Sequence, residues 1–199
     1  MPYSYETYNS DTIDQVNFKR LEEFVDTQSN KNHPAFKNMS WNSECGFLHS
    51  VSNSLRWRTD QGKIYVVTQE ENIAAISCVE FPEGSVEWAI GGIRTWIAPE
   101  YRKTHLPSYV LDKQVSWARA QGCGFLLLTF NEYNKTAHTT LIKRYTSKAG
   151  WSTWWHDCLA APDPVLIRHV PQWCVIKPVH CTDNIKNLQV LTQWQDQNK

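Results

Sequence analysis

Apolar residues recur at Ile13, Val16, Leu21, Phe24 and Val25, a roughly helical spacing, and Ser10 or Asp11 ahead of them is a suitable N-cap. A first amphipathic helix is expected here. From Ser29 to Gly46 the chain is rich in Asn, Ser and Lys around His33-Pro34. That composition predicts a long excursion, with room for a short second helix, of the kind that borders binding sites. The period then changes. Phe47 to Arg58, Lys63 to Gln69, Ile73 to Phe81 and Val86 to Ala98 are rich in β-branched and aromatic residues, with turn residues at 60–62, 70–72 and 82–84 between them. They read as consecutive antiparallel strands.

Pro107 stands where a first helical residue would be, and Val110, Leu111, Val115 and Ala118 give an apolar face that stops at Gln121-Gly122. Phe125 to Phe130 is short and apolar on both faces, which suits a central strand. Asn134 is a cap for a third helix with Ala137, Leu141, Ile142, Tyr145 and Ala149 on one side and Gly150 at its end. Strands near 151–156 and 173–177, separated by a Pro-rich link at 161–164, finish the pattern, and the polar tail after Thr182 reads as partly helical or frayed. The order of elements predicts an α/β or α+β chain, residues 1–199 as a single domain, with one mixed sheet.

Composition narrows the function classes. Twenty basic side chains balance 20 acidic ones, for a net charge of zero and a pI near 7.0, so no polyanion is favoured and a nucleic-acid binder is not expected. Apolar residues make up 41% of the 199 and include 10 Trp, enough for a packed core despite a mean hydropathy of -0.51. No apolar run approaches the ~20 residues that cross a bilayer, and the first residues lack the basic-then-apolar order of a leader. A cytoplasmic protein without a membrane partner is expected.

Six scattered cysteines form no CxxC pair, and Cys174, His180 and Cys181 lack zinc-site spacing, so reduced thiols and no metal are expected. Cys123, between Gly122 and Gly124, has no His at a recognisable spacing and reads as structural, as do Trp154-Trp155 beside His156-Asp157. A Cys- or His-dependent hydrolase is the remotest reading.

At residues 88–102 the chain reads WAIGGIRTWIAPEYR, then come a helix, a buried strand and NEYNKTAHTTLIKRYTSKAGW at 131–151. In these segments and their order it resembles the GNAT superfamily of N-acetyltransferases, best over about residues 63–156. The resemblance implies a mixed, mostly antiparallel sheet of six to seven strands flanked by helices. It also implies an acetyl-CoA cosubstrate lying along Ile97 and Ala98 like an extra strand, with its diphosphate on N–H groups at the start of the next helix.

Matched position by position, the family's R/Q-x-x-G-x-G/A loop falls on Arg102, Lys103, Thr104, His105, Leu106 and Pro107. Arg102 is retained, while His105 and Pro107 stand at the two glycine positions. His105 adds bulk and Pro107 removes a donor. In compensation, Arg102, Lys103 and His105 bring side-chain charge. Pro107 reads equally as an ordinary first-turn proline.

The resemblance further implies a general base, for which Glu87 is the candidate and Glu80 the reserve, and a Tyr acid, for which Tyr145 is the candidate. Each also reads blandly, the glutamates as solvated strand residues and Tyr145 as part of its helix's apolar stripe. Tyr145 lies about one turn off the family spacing. Asn134 is either a partner of the pantetheine arm or a plain N-cap. Gly91-Gly92 in mid-strand matches the bulge that splays the family's sheet.

The implied activity is an acyl-CoA-dependent N-acyltransferase, foremost an N-acetyltransferase, working by direct transfer to a small amine or a protein amino group, as monomer or homodimer. The acceptor side would be built by 33–47 and 160–172, with Trp41, Trp173 and His169 as wall residues. The alternative is a GNAT-like chain without catalysis that serves as a binding module, motivated by the loss of both loop glycines.

Overall fold

The computed structural model describes residues 2–9, 11–28, 62–82, 87–91, 95–102, 104–131, 158–160, 165–167, 170–180 and 183–197. Among them are nine strands and three helices: β1 Tyr3–Tyr8, α1 Gln15–Gln28, β2 Gly62–Gln69, β3 Asn72–Glu80, β4 Trp88–Gly91, β5 Trp96–Ile97, α2 Leu106–Ala120, β6 Phe125–Asn131, β7 Leu159–Ala160, β8 Val165–Ile167, β9 Val170–Pro178 and α3 Asn184–Gln197. The chain divides into two compact units, residues 1–81 with 94–114, and residues 82–93 with 115–199.

In the first unit β1, β2 and β3 pair antiparallel in that order, and β5 pairs antiparallel with β3. Two side-chain layers cover the sheet. Leu21 of α1, flanked by Phe18 and Phe24, packs on Ile64, Val66, Ile76 and Cys78. Leu106 and Val110 of α2 pack with Val67, Ala74 and Ala75. The alternation of these β2 positions, even numbers in one layer and Val67 in the other, is the period-two signature of a strand covered on both faces. Gly62 is required by close approach, because a Cβ there would lie 2.1 Å from the Val79 carbonyl oxygen.

Gln114 is fully buried and is accommodated by hydrogen bonds. Its Nε2 donates to the Ser77 hydroxyl and, at 2.8 Å, to the Cys78 carbonyl, while the Ser77 and Thr95 hydroxyls meet at 2.6 Å.

In the second unit β4 runs parallel to β6, and β6 pairs antiparallel with β9, which also carries β7 and β8. Phe125 to Leu128 are buried, as expected of a central strand. Trp88 stacks on Phe125 with ring centroids 5.4 Å apart and meets Trp194 of α3 edge-on at 5.2 Å. The polar tail after Thr182 is therefore a helix, because Leu191, with Leu188, Val190 and Trp194, supplies an apolar stripe to this core.

Three expectations change. The first helix starts at Gln15, with Asp14 in place of Ser10 or Asp11 as cap. Asn9 Oδ1 takes the N–H groups of Asp11 and Thr12 in a turn, and Asp14 Oδ1 accepts from Asn17 N–H at 2.7 Å. The strand expected over 86–98 is two pieces, β4 and β5, and Thr95 ahead of β5 is outside any strand. β1 was not foreseen. The strand expected at 47–58, the excursion at 29–46, the helix after Asn134 and the strand at 151–156 lie outside the described residues.

Candidate functional site

The segment from Thr95 to Tyr109 joins a strand, a short turn and a helix start in the first unit. β5 places Ile97 opposite Ala75, and Ala98 N–H continues the ladder by donating to the Ala74 carbonyl at 3.0 Å. Pro99 opens a single 3₁₀ turn through Tyr101, its fixed φ suiting the first position. The chain then closes on itself. Tyr101 N–H donates to Ala98 O, Arg102 N–H to Pro99 O and Thr104 N–H to Tyr101 O. The Thr104 hydroxyl donates to the Tyr101 carbonyl at 2.7 Å and accepts from Leu106 N–H at 3.3 Å, which caps α2. Tyr109 N–H donates to His105 O within the helix, and Pro107 has no N–H.

That accounting tests how an acyl-CoA would sit here. The main-chain donors of Arg102, Thr104 and Leu106 are already engaged, Pro107 offers none, and no glycine opens the loop. The Ile97 carbonyl, a natural partner for a pantetheine amide, accepts from Arg102 Nε at 3.0 Å. Three of the loop's main-chain donors are therefore already taken, while the His105 N–H is not among the engaged ones. The side chains are of a different character. Arg102, Thr104 and His105 are exposed. Arg102 Nε is tied to the Ile97 carbonyl, and the two Nη groups take no part in that bond. The His105 ring stands edge-on to Tyr3 at 5.5 Å, and Tyr3 in turn to Tyr101 at 6.2 Å.

The neighbouring surface is aromatic. Tyr5 of β1 and Tyr109 of α2 lie 4.5 Å apart, and Lys113 Nζ sits 5.3 Å from the centre of the Tyr109 ring. Burial, with a smaller contribution from Tyr109, pushes Tyr65 up to about 12. It is a neutral phenol at physiological pH, able to donate a hydrogen bond and unable to act as a base.

The candidates from the sequence fall as follows. Ile97, Ala98, Arg102, Thr104, His105 and Leu106 share this one segment, with Ala98 and Leu106 buried. Lys103, Asn134 and Tyr145 lie outside the described residues. Glu87 is exposed and precedes β4 in the second unit, and its carbonyl accepts from Gly124 N–H at 2.8 Å, which joins the starts of the parallel strands β4 and β6. Glu80, at the end of β3, is 1% exposed. Gly91 is buried in β4, and Gly92 lies outside the described residues.

Burial pushes the Cys123 thiol up to about 11 and Cys174 up to about 12, which removes both as nucleophiles at neutral pH. Sequence reasoning missed Tyr3 and the Thr104 cap. The alternation in Tyr3-Ser4-Tyr5-Glu6-Thr7-Tyr8 carried the signal for the first, and a Thr two residues ahead of an apolar helix start carried it for the second. Among the described residues no group of His, Cys, Asp or Glu is set to hold a metal ion, and no helix is long and apolar enough to cross a membrane.

No protein-family model and no curated protein matches the chain. Solved structures do. An acetyltransferase from Streptococcus agalactiae superposes with a TM-score of 0.57 at 11% identity, covering 88% of this chain and 98% of its own. A proposed GNAT-family acetyltransferase from Desulfovibrio desulfuricans gives 0.55 at 13%, over 89% and 99%. The ribosomal-protein-S18-alanine N-acetyltransferase of Escherichia coli gives 0.52 at 10%, over 89% and 94%. The chain has the GNAT fold, a mixed α/β architecture.

Proposed function

We propose that this GNAT-fold chain is an acyl-CoA-dependent N-acyltransferase that moves an acetyl group from acetyl-CoA to a small amine or a protein amino group, by direct transfer in a ternary complex. The observation that carries the reading is the segment 95–109, in which a strand, a turn and a capped helix start present Arg102 and His105 together in a chain of this fold. Residues 1–199 are taken as one functional domain, cytoplasmic, monomeric or homodimeric.

The thioester supplies an activated acyl carbonyl when bound. The roles of this chain's residues are proposed as follows. Arg102, Lys103 and His105 attract the donor's phosphates, with Thr104 and Leu106 shaping the turn, and Ile97 and Ala98 flank the donor's arm with Asn134. Glu87 takes a proton from the acceptor ammonium, Glu80 being the alternative, and Tyr145 is the proton donor.

The test is release of free thiol from acetyl-CoA over a panel of amines, with Glu87→Gln and Glu80→Gln compared. Loss of about 10²-fold or more in kcat for Glu87→Gln alone supports its assignment as base. Loss in Glu80→Gln alone reassigns it. A second reading has one observation in its favour. The N–H groups of Ala98, Tyr101, Arg102, Thr104 and Leu106 are engaged within the chain, as suits a GNAT-fold binding module that no longer catalyses. Acetyl transfer to any amine excludes it.

A further inference from the structure

We infer that Gln114 is a positioning residue: with Ser77 it fixes Thr95 and, through Thr95, the strand β5 beside which the donor's arm is proposed to lie. This rests on the acyl-CoA reading above. Leu106, Val110 and Gln114 follow one another at four-residue steps along α2 and so share one of its faces. The first two are apolar and pack on the sheet, whereas Gln114 is polar and has no exposed surface. An apolar side chain would sit there without the cost of desolvating an amide. The amide instead reaches β3 with both Nε2 hydrogens, one on the Ser77 hydroxyl and one on the Cys78 carbonyl at 2.8 Å.

What this amide holds follows from the register. β5 pairs Ile97 with Ala75 and Trp96 with Ile76, and Ala98 N–H adds a bond to the Ala74 carbonyl. One step further along that register Thr95 falls opposite Ser77, where the strand has already ended. There side chains continue the pairing, with the Ser77 and Thr95 hydroxyls 2.6 Å apart. Gln114, Ser77 and Thr95 thus form one connected chain of hydrogen bonds from α2 through β3 to the residue that leads into β5. At the other end of β5, Arg102 Nε holds the Ile97 carbonyl at 3.0 Å. A strand of two residues is therefore fixed on both sides, and its amino side depends on a buried network. Satisfied networks of this kind fix a unique geometry more than they add stability, and a displacement of about 1 Å beside a bound ligand is costly.

Calorimetric titration with acetyl-CoA tests the role, with thermal unfolding run on every variant. Thr95→Val keeps the shape and removes the hydroxyl, and should weaken binding about tenfold, while Thr95→Ser, which keeps the hydroxyl, should stay within about twofold of the parent chain. Gln114→Leu should weaken binding by a similar factor. The double variant should be no weaker than either single one, because both changes break the same chain of bonds. Gly122→Ala, destabilised at the far end of α2, controls for stability alone and should bind like the parent. If Gln114→Leu does not fold, the contrast between Thr95→Val and Thr95→Ser decides. Parent-like binding by Thr95→Val, an equal loss in Thr95→Ser or in Gly122→Ala, or losses that add in the double variant would each overturn the inference and leave the acyl-CoA reading intact. A parent chain that binds no acetyl-CoA refutes that reading and this inference with it.

Discussion

The two ends of α2 are closed by different chemistry. At the carboxyl end Gly122 takes φ +79°, Cys123 N–H donates to Ala118 O and Gly122 N–H to Arg119 O, each at 3.0 Å, a complete Schellman motif. The His180 ring nitrogen adds a contact to Arg119 O at 2.9 Å, with the Val179 and His180 N–H groups on Gly124 O. At the amino end a side chain, Thr104, does the capping, and a proline removes a donor. The carboxyl end is a structural joint that leads straight into the buried strand β6. At the amino end Leu106 N–H is capped within the chain, while Arg102 and His105 face solvent. A helix end satisfied by its own chain is thus free to be structural or to act through its side chains, and which it does is decided by what those side chains carry.

The largest expected effect breaks the structural end. Gly122→Ala should cost about 1–2 kcal/mol by thermal or urea unfolding although no atom lies within 4 Å of the added Cβ, because the loss is conformational. CoA affinity should not change. Arg102→Ala should do the reverse, leaving stability within about 0.5 kcal/mol while weakening CoA by about tenfold. Thr104→Ala sharpens the comparison further. It should lower stability by about 1 kcal/mol, since Leu106 N–H loses its cap.

His180→Ala at the other end should cost about 0.5 kcal/mol, one exposed hydrogen bond. The smallest effect at neutral pH belongs to Cys123. Its folded-state thiol is raised by burial from 9.0 to about 11, so its contribution is intact below pH 9. As pH rises through that window the unfolded chain releases the proton first, and stability should fall, which alkaline unfolding of Cys123→Ala against the parent chain would reveal.

Much of the fold was legible because its strands are periodic and its turns are punctuated. β2, β3, β6 and α2 lie within a few residues of where alternation, apolar runs and Gly122 put them. What was missed has physical reasons. β1 is half-polar and covered without strict alternation, only Tyr3, Glu6 and Tyr8 being partly buried, and α3 hides four apolar residues in a polar tail. The α1 cap moved because Asn9 made a turn that competed with Ser10 and Asp11 for the chain.

Of the site, the segment 97–106 was legible through its residue types and order. Its main-chain closure was not, because whether Thr104 caps Leu106 or Arg102 reaches back to Ile97 depends on the 3₁₀ turn between them. Glu80 illustrates the same limit. A glutamate at a strand end reads as solvated, yet Glu80 is 1% exposed.

The central claim is that this GNAT-fold chain takes an acyl-CoA although His105 and Pro107 stand at the two glycine positions of its loop. Titration of the purified chain with acetyl-CoA, with ATP as control, tests it most directly. The account predicts saturable micromolar binding, tighter than ATP, since both carry phosphates and only one carries the pantetheine arm. Absence of binding up to millimolar acetyl-CoA would contradict it and leave the binding-module reading in its place.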